Sequence, residues 1–447
     1  MTGDRMTGGQ VGTSAREASI AGARRLLRQA DAAGPAPAGD LSRVSRLVAV
    51  VSSSRGGSSL LHQLLADHPD VLSIAGEHTA LYRLNRLDRG PDGSDALPPD
   101  VGFDHAQFSA DFLGLLRGSR PPGPDPGPAG VDGYAVAVAR RLALQWPLEG
   151  IEYSSVREAT AHALGTCADP TDPAAVFSRL LERLRRLHPR LDPDAYDLPA
   201  ALRGRGPSPA AFGPPTDGHC IEEPPFVVPR PRALPDPGDL SHQVVAVKSS
   251  VDAYRLPLLR RLMPGARLRI IHLTRNPAAA VNGLYDGWRD RGFFSYDVSD
   301  EVQLSIAGYR ELGPAARRWW NFDLPPGWRE VVDSPLEVVC AAQWAGAHRA
   351  ILEGLDDAGA DAVMRLPFER LVDPATRNRT LDAVFTFAGL RNLPHQVRLP
   401  VVMATARPGP ARWRRRVDLV APAVREPAVA EVAAELGYRW KENARWT

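Results

Sequence analysis

The chain has 447 residues, 44% hydrophobic and 24% charged, with 54 basic against 52 acidic side chains and a formal charge of +2. That length allows one large domain or two to three smaller ones, and the near balance of charge argues against a generic nucleic-acid or membrane-surface binder. Three cysteines, Cys167, Cys220 and Cys340, lack metal or CxxC spacing, so no disulfide framework or zinc site is expected and a reducing cytoplasm fits best.

In chain order, residues 1–40 read as a flexible lead-in holding a surface helix over 15–33, flanked by Gly/Thr and Gly/Pro pieces. Residues 47–51 (Leu-Val-Ala-Val-Val) are short, continuous and β-branched, which predicts a buried strand. A Ser/Gly turn follows over 52–57, then a helix over 58–67 with Leu60, Leu61, Leu64 and Leu65 on one face, ending before His68-Pro69. The stretch 88–242 is Pro-dense at 121–128, 207–215 and 224–237, with helical patterns at 134–146 and 176–187, and reads as an insertion. Strand and helix patterns then alternate: 244–248, 252–263, 268–274, 277–288, 335–355, 362–366 and 376–389. Such alternation implies a three-layer α/β fold, a mainly parallel sheet flanked by helices, built from 41–87 and 243–447. No apolar run is long enough to span a bilayer, and the first residues carry no signal-peptide pattern.

The turn Ser52-Ser53-Ser54-Arg55-Gly56-Gly57-Ser58-Ser59-Leu60 carries the most chemistry. Glycines let backbone N–H groups approach an anion, and the helix N-terminus adds free donors and partial positive charge. Ser58 and Ser59 supply hydroxyls, and Arg55 a cation that forks onto phosphate oxygens. The nucleoside-triphosphate pattern GxxxxGK[ST] is not met, because no Lys precedes the serines. A structural turn with serine caps is the plain alternative.

This segment resembles the 5′-phosphosulfate loop of sulfotransferases that use 3′-phosphoadenosine 5′-phosphosulfate (PAPS). Asp67-His68-Pro69-Asp70-Val71 and Gly76-Glu77 downstream are similar to the branch that includes protein-tyrosine and many bacterial sulfotransferases. The run 268–277, ending Thr274-Arg275-Asn276-Pro277, resembles the family's 3′-phosphate motif, with Gly283 where a serine is usual and Asn282 beside it. Lys248 at a strand end, Phe368 in Phe-Glu-Arg-Leu where the family has Tyr, and Arg412-Trp413-Arg414 in a C-terminal loop complete the likeness. It covers about 44–85 and 244–440, and implies a P-loop NTPase-like sulfotransferase fold with a helical, Pro-rich insertion over 88–242 as an acceptor-side cap.

The resemblance further implies sulfuryl transfer from PAPS, leaving 3′-phosphoadenosine 5′-phosphate (PAP), to a hydroxyl of a small-molecule, lipid or carbohydrate acceptor, as in natural product biosynthesis. Arg55, Gly56, Gly57, Ser58, Ser59 and Leu60 are expected at the 5′-phosphate; Arg275, Asn282, Gly283, Phe368, Arg412, Trp413 and Arg414 about the rest of the nucleotide. Lys248 is expected at the bridging oxygen and Glu77 as base, with His78 as the alternative; His62, His68 and His272 are expected to be structural. Only Lys248 and Lys441 are lysines among the 54 basic residues, so an ammonium at 248 stands out. No metal and no nucleic-acid partner are expected, and a homodimer is left open. Two other readings remain: a serine hydrolase using Ser58, although Leu60 stands where G-x-S-x-G needs its last Gly, and a non-catalytic nucleotide-binding module.

Overall fold

A computed structural model of the chain describes residues 8–34, 39–118, 127–199, 202, 212–214, 219–232, 235, 237–356, 358–393 and 399–445. Among the described residues are eight strands: β1 (Arg46–Val51), β2 (Val71–Ser73), β3 (Arg117–Gly118), β4 (Val244–Lys248), β5 (Arg267–Thr274), β6 (Tyr296–Asp297), β7 (Trp319–Trp320) and β8 (Val363–Pro367). Six form one sheet in the order β3-β2-β4-β1-β5-β8, and β6 pairs with β7 separately. All neighbours in the large sheet run parallel except the edge pair β2–β3.

Residues 47–51 form a strand because every side chain is buried, alternately on two faces. Leu47, Ala49 and Val51 join one apolar cluster; Val48 and Val50 join another with Leu61, Leu65, Ile271 and Leu273. Helices therefore cover both faces, as a near-continuous apolar strand requires. A third cluster lies beyond the strand ends, where helices Pro277–Trp288, Leu336–Leu355, Val417–Arg425 and Pro427–Glu435 enclose Trp288, Trp320, Trp328 and Trp344.

Three expectations change. Helix Gly8–Ala33 buries Ile20, Ala23, Leu26 and Ala30 in the cluster that also holds Leu47 and Leu72, so this part of the expected lead-in is packed. Its apolar residues recur at helical spacing with small Ala and Gly between them, which lets it lie close to helix Gly127–Gln145. The middle stretch supplies helices His105–Leu115, Gly127–Gln145, Tyr153–Thr166 and Pro173–Leu184 to the same cluster and adds β3 to the sheet, so its described helices share the core. The helix expected over 252–263 is a 3-10 turn, Ser250–Tyr254, and a helix, Leu256–Leu262. Arg255, at φ −134° and ψ 23°, is neither helical nor extended at the break, and Pro257 sits in the first turn of the new helix, where no N–H is needed.

No helix among the described residues is long and apolar enough to cross a membrane.

Candidate active site

Parallel register brings the candidate residues to one end of the sheet. Val50 pairs with Lys248 and Val51 with His272, so the loop after β1, the end of β4 and the start of the segment after β5 stand side by side. Ligands of open α/β sheets bind outside the carboxyl ends of the strands, and β1 lies centrally there.

The loop 52–57 is held in a conformation few sequences adopt. Gly57 caps helix Ser58–Ala66 at φ 98°, and a Cβ there would enter the ring of Phe368. A Cβ on Gly56 would strike Ser52 Oγ and the Ser53 carbonyl. Arg55 itself sits at φ 60°, an uncommon value for a residue with a side chain. Ser54 Oγ donates to Asp323 Oδ1 at 2.5 Å, and Tyr254 Oη to Asp323 Oδ2 at 2.6 Å, fixing the loop from below. Burial raises the Asp323 carboxyl to about 6 against the pull of these hydrogen bonds.

Arg55 Nη1 donates to the Met403 carbonyl at 2.7 Å and Nη2 to Thr405 Oγ1 at 3.3 Å, with its guanidinium 5.1 Å from the Phe293 ring centroid. Burial, then the neighbouring Arg275, lowers this guanidinium to about 10, which leaves it protonated at neutral pH. Arg275 Nη1 donates to the Arg55 carbonyl at 3.0 Å, and its guanidinium lies 4.9 Å from the Phe368 centroid.

Lys248 is 7% exposed; its Nζ donates to Ser59 Oγ at 3.0 Å and to Glu77 Oε1. Glu77 Oε2 accepts from Ser250 N–H and Oγ, both at 3.0 Å, and from Thr79 Oγ1 at 3.2 Å. Burial alone would raise this carboxyl, but the Lys248 ammonium and these hydrogen bonds outweigh it and hold Glu77 at about 2.

Not every expected residue faces this centre. His78 points inward, its Nε2 at 3.1 Å from Tyr82 Oη and 3.2 Å from Asp252 Oδ1, and it is 1% exposed. Leu60 packs against the core, and its N–H is used by the Gly57 carbonyl at 3.1 Å. Trp413 is buried 5.9 Å from the Trp440 ring, with Arg414 stacked over it. His62 is buried against the Ala246 carbonyl, and burial followed by the Lys248 charge lowers its imidazole to about 4. Arg412 does turn toward the site, but onto Asp286 Oδ2 at 2.7 Å. Gly283 faces the loop, where an added Cβ would sit 3.4 Å from Arg55 Cβ.

Sequence reasoning passed over Asp323, Met403 and Thr405, placed Asp286 only in a stretch expected on the acceptor side, and weighed Arg416 only as part of a basic run. Asp323, Met403 and Thr405 reach the site from segments with no motif of their own. The arginine run 412–416 was the one visible signal, and alternate members of it face opposite ways.

The loop also fits an anionic group. Ser52 Oγ, Ser53 Oγ and Arg275 Nε are buried without a hydrogen-bond partner, a costly state that an oxyanion in the loop would relieve. Among the described residues no cluster of three or more His, Cys, Asp or Glu could hold a metal.

No family model matches the chain, and no curated protein matches it. Among solved structures, the sulfotransferase domain from the curacin biosynthetic pathway aligns over 89% of this chain and 99% of its own at 11% identity and a TM-score of 0.35. The sulfotransferase domain of the Synechococcus PCC 7002 olefin synthase aligns over 91% and 98% at 14% identity and a TM-score of 0.36. A sulfotransferase from Alicyclobacillus acidocaldarius aligns over 89% and 98% at 13% identity and a TM-score of 0.33. Likeness at these values says nothing about activity, and the α/β sheet stands on its own hydrogen-bonded register.

Proposed function

We propose that the chain is a PAPS-dependent sulfotransferase acting on a hydroxyl of a small-molecule, lipid or carbohydrate acceptor. The observation that carries this reading is the Ser59–Lys248–Glu77 chain of contacts beside an anion-shaped loop with orphaned hydroxyls. Arg55, the loop N–H groups, Ser58 and Ser59 would hold the 5′-phosphate, and Arg275 the 3′-phosphate. The bound donor supplies a sulfuryl group already activated on its phosphate.

The protein's task is then positioning and charge neutralisation, as in phosphoryl transfer. Lys248 has the compact ammonium suited to charge growing on one bridging oxygen. Its two present acceptors, Ser59 Oγ and Glu77 Oε1, hold it at the loop mouth until a stronger anion competes. As Lys248 turns to that anion, Glu77 loses its main counter-charge; its carboxyl becomes more basic and Oε1 is freed to take the acceptor's proton. Ser250 and Thr79 keep the carboxylate aimed meanwhile.

The acceptor side is framed by the segment 293–295 and by the middle stretch. Arg83 pairs with Glu223 and donates to the Ser295 carbonyl at 3.1 Å, while Phe293 lies against Arg55 and Phe322. A hydrolase using Ser58 fares worse: among the described residues no hydrogen bond joins Ser58 to a histidine.

Thermal stabilisation by PAP, with ATP as the contrast, tests the donor class. PAP should raise the melting temperature more than ATP; a shift with ATP and none with PAP would overturn the reading. Glu77→Gln should retain PAP binding while transfer from labelled PAPS across an acceptor panel falls by roughly 10²–10⁴-fold. Full transfer in that variant would move the base elsewhere.

A further inference from the structure

Helix Pro277–Trp288 presents Asn282, Gly283 and Asp286 toward the arginines of the site, and the turn Arg412–Arg416 folds back over them. Arg416 Nη1 donates to Asn282 Oδ1 at 2.8 Å and to Asp286 Oδ1 at 2.6 Å. Arg412 Nη2 donates to Asp286 Oδ2 at 2.7 Å, so each carboxylate oxygen receives one guanidinium. Asp286 is 11% exposed at its side chain, and Arg416 is further fixed 4.9 Å from the Tyr285 ring centroid. Two arginines converging on one small anion, beside Gly283 and within the field of Arg55, are the arrangement a phosphate would also draw.

The carboxylate beside Arg275 is differently engaged. Glu369 Oε1 accepts from the Asn276 N–H and side chain at 2.8 and 2.9 Å, and its Oε2 from Tyr438 Oη at 3.0 Å. It holds the segment after β5 in place. Asp286 instead receives Arg416 on Oδ1 and Arg412 on Oδ2.

We propose that Asp286 is a built-in stand-in for the nucleotide's 3′-phosphate, holding Arg412 and Arg416 in the unliganded protein until the phosphate takes them over. Arg416, aimed by Asn282, then replaces the hydroxyl that Gly283 cannot supply. Resting on the reading above, this makes Asp286 a competitor that weakens binding of any nucleotide carrying a 3′-phosphate and leaves 5′-monophosphates untouched.

Calorimetric titration of the full chain with PAP and with adenosine 5′-monophosphate separates the possibilities. Arg416→Gln should weaken PAP by about tenfold, the scale of one charge-assisted hydrogen bond, with monophosphate affinity unchanged. Adding Gly283→Ser to that variant should recover part of the loss, because the new Cβ meets Arg55 only at 3.4 Å. Asp286→Asn should tighten PAP severalfold; a merely structural aspartate would instead weaken it by loosening both arginines. Should Asp286→Asn lower the melting temperature, the single and double variants at 416 and 283 still decide the matter. If the wild type binds PAP but Arg416→Gln leaves the ratio of the two affinities unchanged, or Asp286→Asn in a folded protein weakens PAP, the inference fails and the sulfotransferase reading survives. If the wild type does not bind PAP, both fail.

Discussion

Lys248 shows how much one side chain contributes to this site. It is 7% exposed, reaches both the first turn of helix Ser58–Ala66 and the Glu77 carboxylate, and ends a strand whose other residues are apolar. A guanidinium would need more room and spread its charge over a plane, so Lys→Arg is conservative here in sign only. Lys248→Arg should lower the transfer rate by roughly 10²-fold while PAP affinity changes far less, read from single-turnover rates and calorimetry. Equal loss in both would mean that Lys248 serves ground-state binding. Legibility at this scale was uneven. Arg55 is marked in the sequence by a strand–turn–helix pattern, Lys248 and Glu77 only by the resemblance, and the register of β1 and β2 with β4 sets the three segments side by side. Asp286 and Asp323 carry no such mark: each acts through residues far along the chain, and a lone Asp in a helix or after an aromatic run has no local signature.

At the scale of elements, strands and helices over 47–67, 244–288 and 335–389 were legible because buried parallel strands are continuous apolar runs bounded by turns, whereas the short strands Val71–Ser73, Tyr296–Asp297 and Trp319–Trp320 were not. The helix Gly8–Ala33 was readable as a helix but not as a packed one. Its buried apolar face mixes Ile20 and Leu26 with Ala23 and Ala30, and the alanines weaken the hydrophobic signal yet permit close approach to helix Gly127–Gln145. Leu26, 3% exposed, is one of its larger buried side chains. Leu26→Ala should therefore cost about 2–4 kcal/mol of stability, measured as a lower urea midpoint with unchanged slope. A mobile lead-in would show no change. Pro-dense pieces hid the middle stretch, since loops and helix starts use proline alike, and only tertiary contact tells which.

For the whole molecule, several buried groups tie stability to pH in opposite senses. His272 and His348 share a hydrogen bond at 3.0 Å; burial, helped by Arg365, lowers His272 to about 3 and drives His348 well below its ordinary value. Both are neutral when folded and gain protons on unfolding below the ordinary 6.5, so their contribution is full above 6.5 and lost as pH falls toward 3. Glu77, depressed from 4.5 to about 2, adds a loss between those values. Asp95 and Asp323, raised by burial to about 6, work the other way: their contribution is present below 3.8 and lost as pH rises through 6. Replacing His348 with Gln should shrink the difference in unfolding free energy between pH 7 and pH 5 relative to wild type. An unchanged difference would show that the pair does not govern acid sensitivity.

The burial of Lys248 has a practical side in a chain with only one other lysine. Lys441 is exposed near the C-terminal end, whereas the Lys248 amine is enclosed and engaged by a carboxylate. An amine-selective reagent thus meets two side chains of very different reactivity, one fast and one guarded. Mass spectrometry of the two labelled peptides would report on the occupied and unoccupied states of the unmutated protein, with Lys441 as the internal reference.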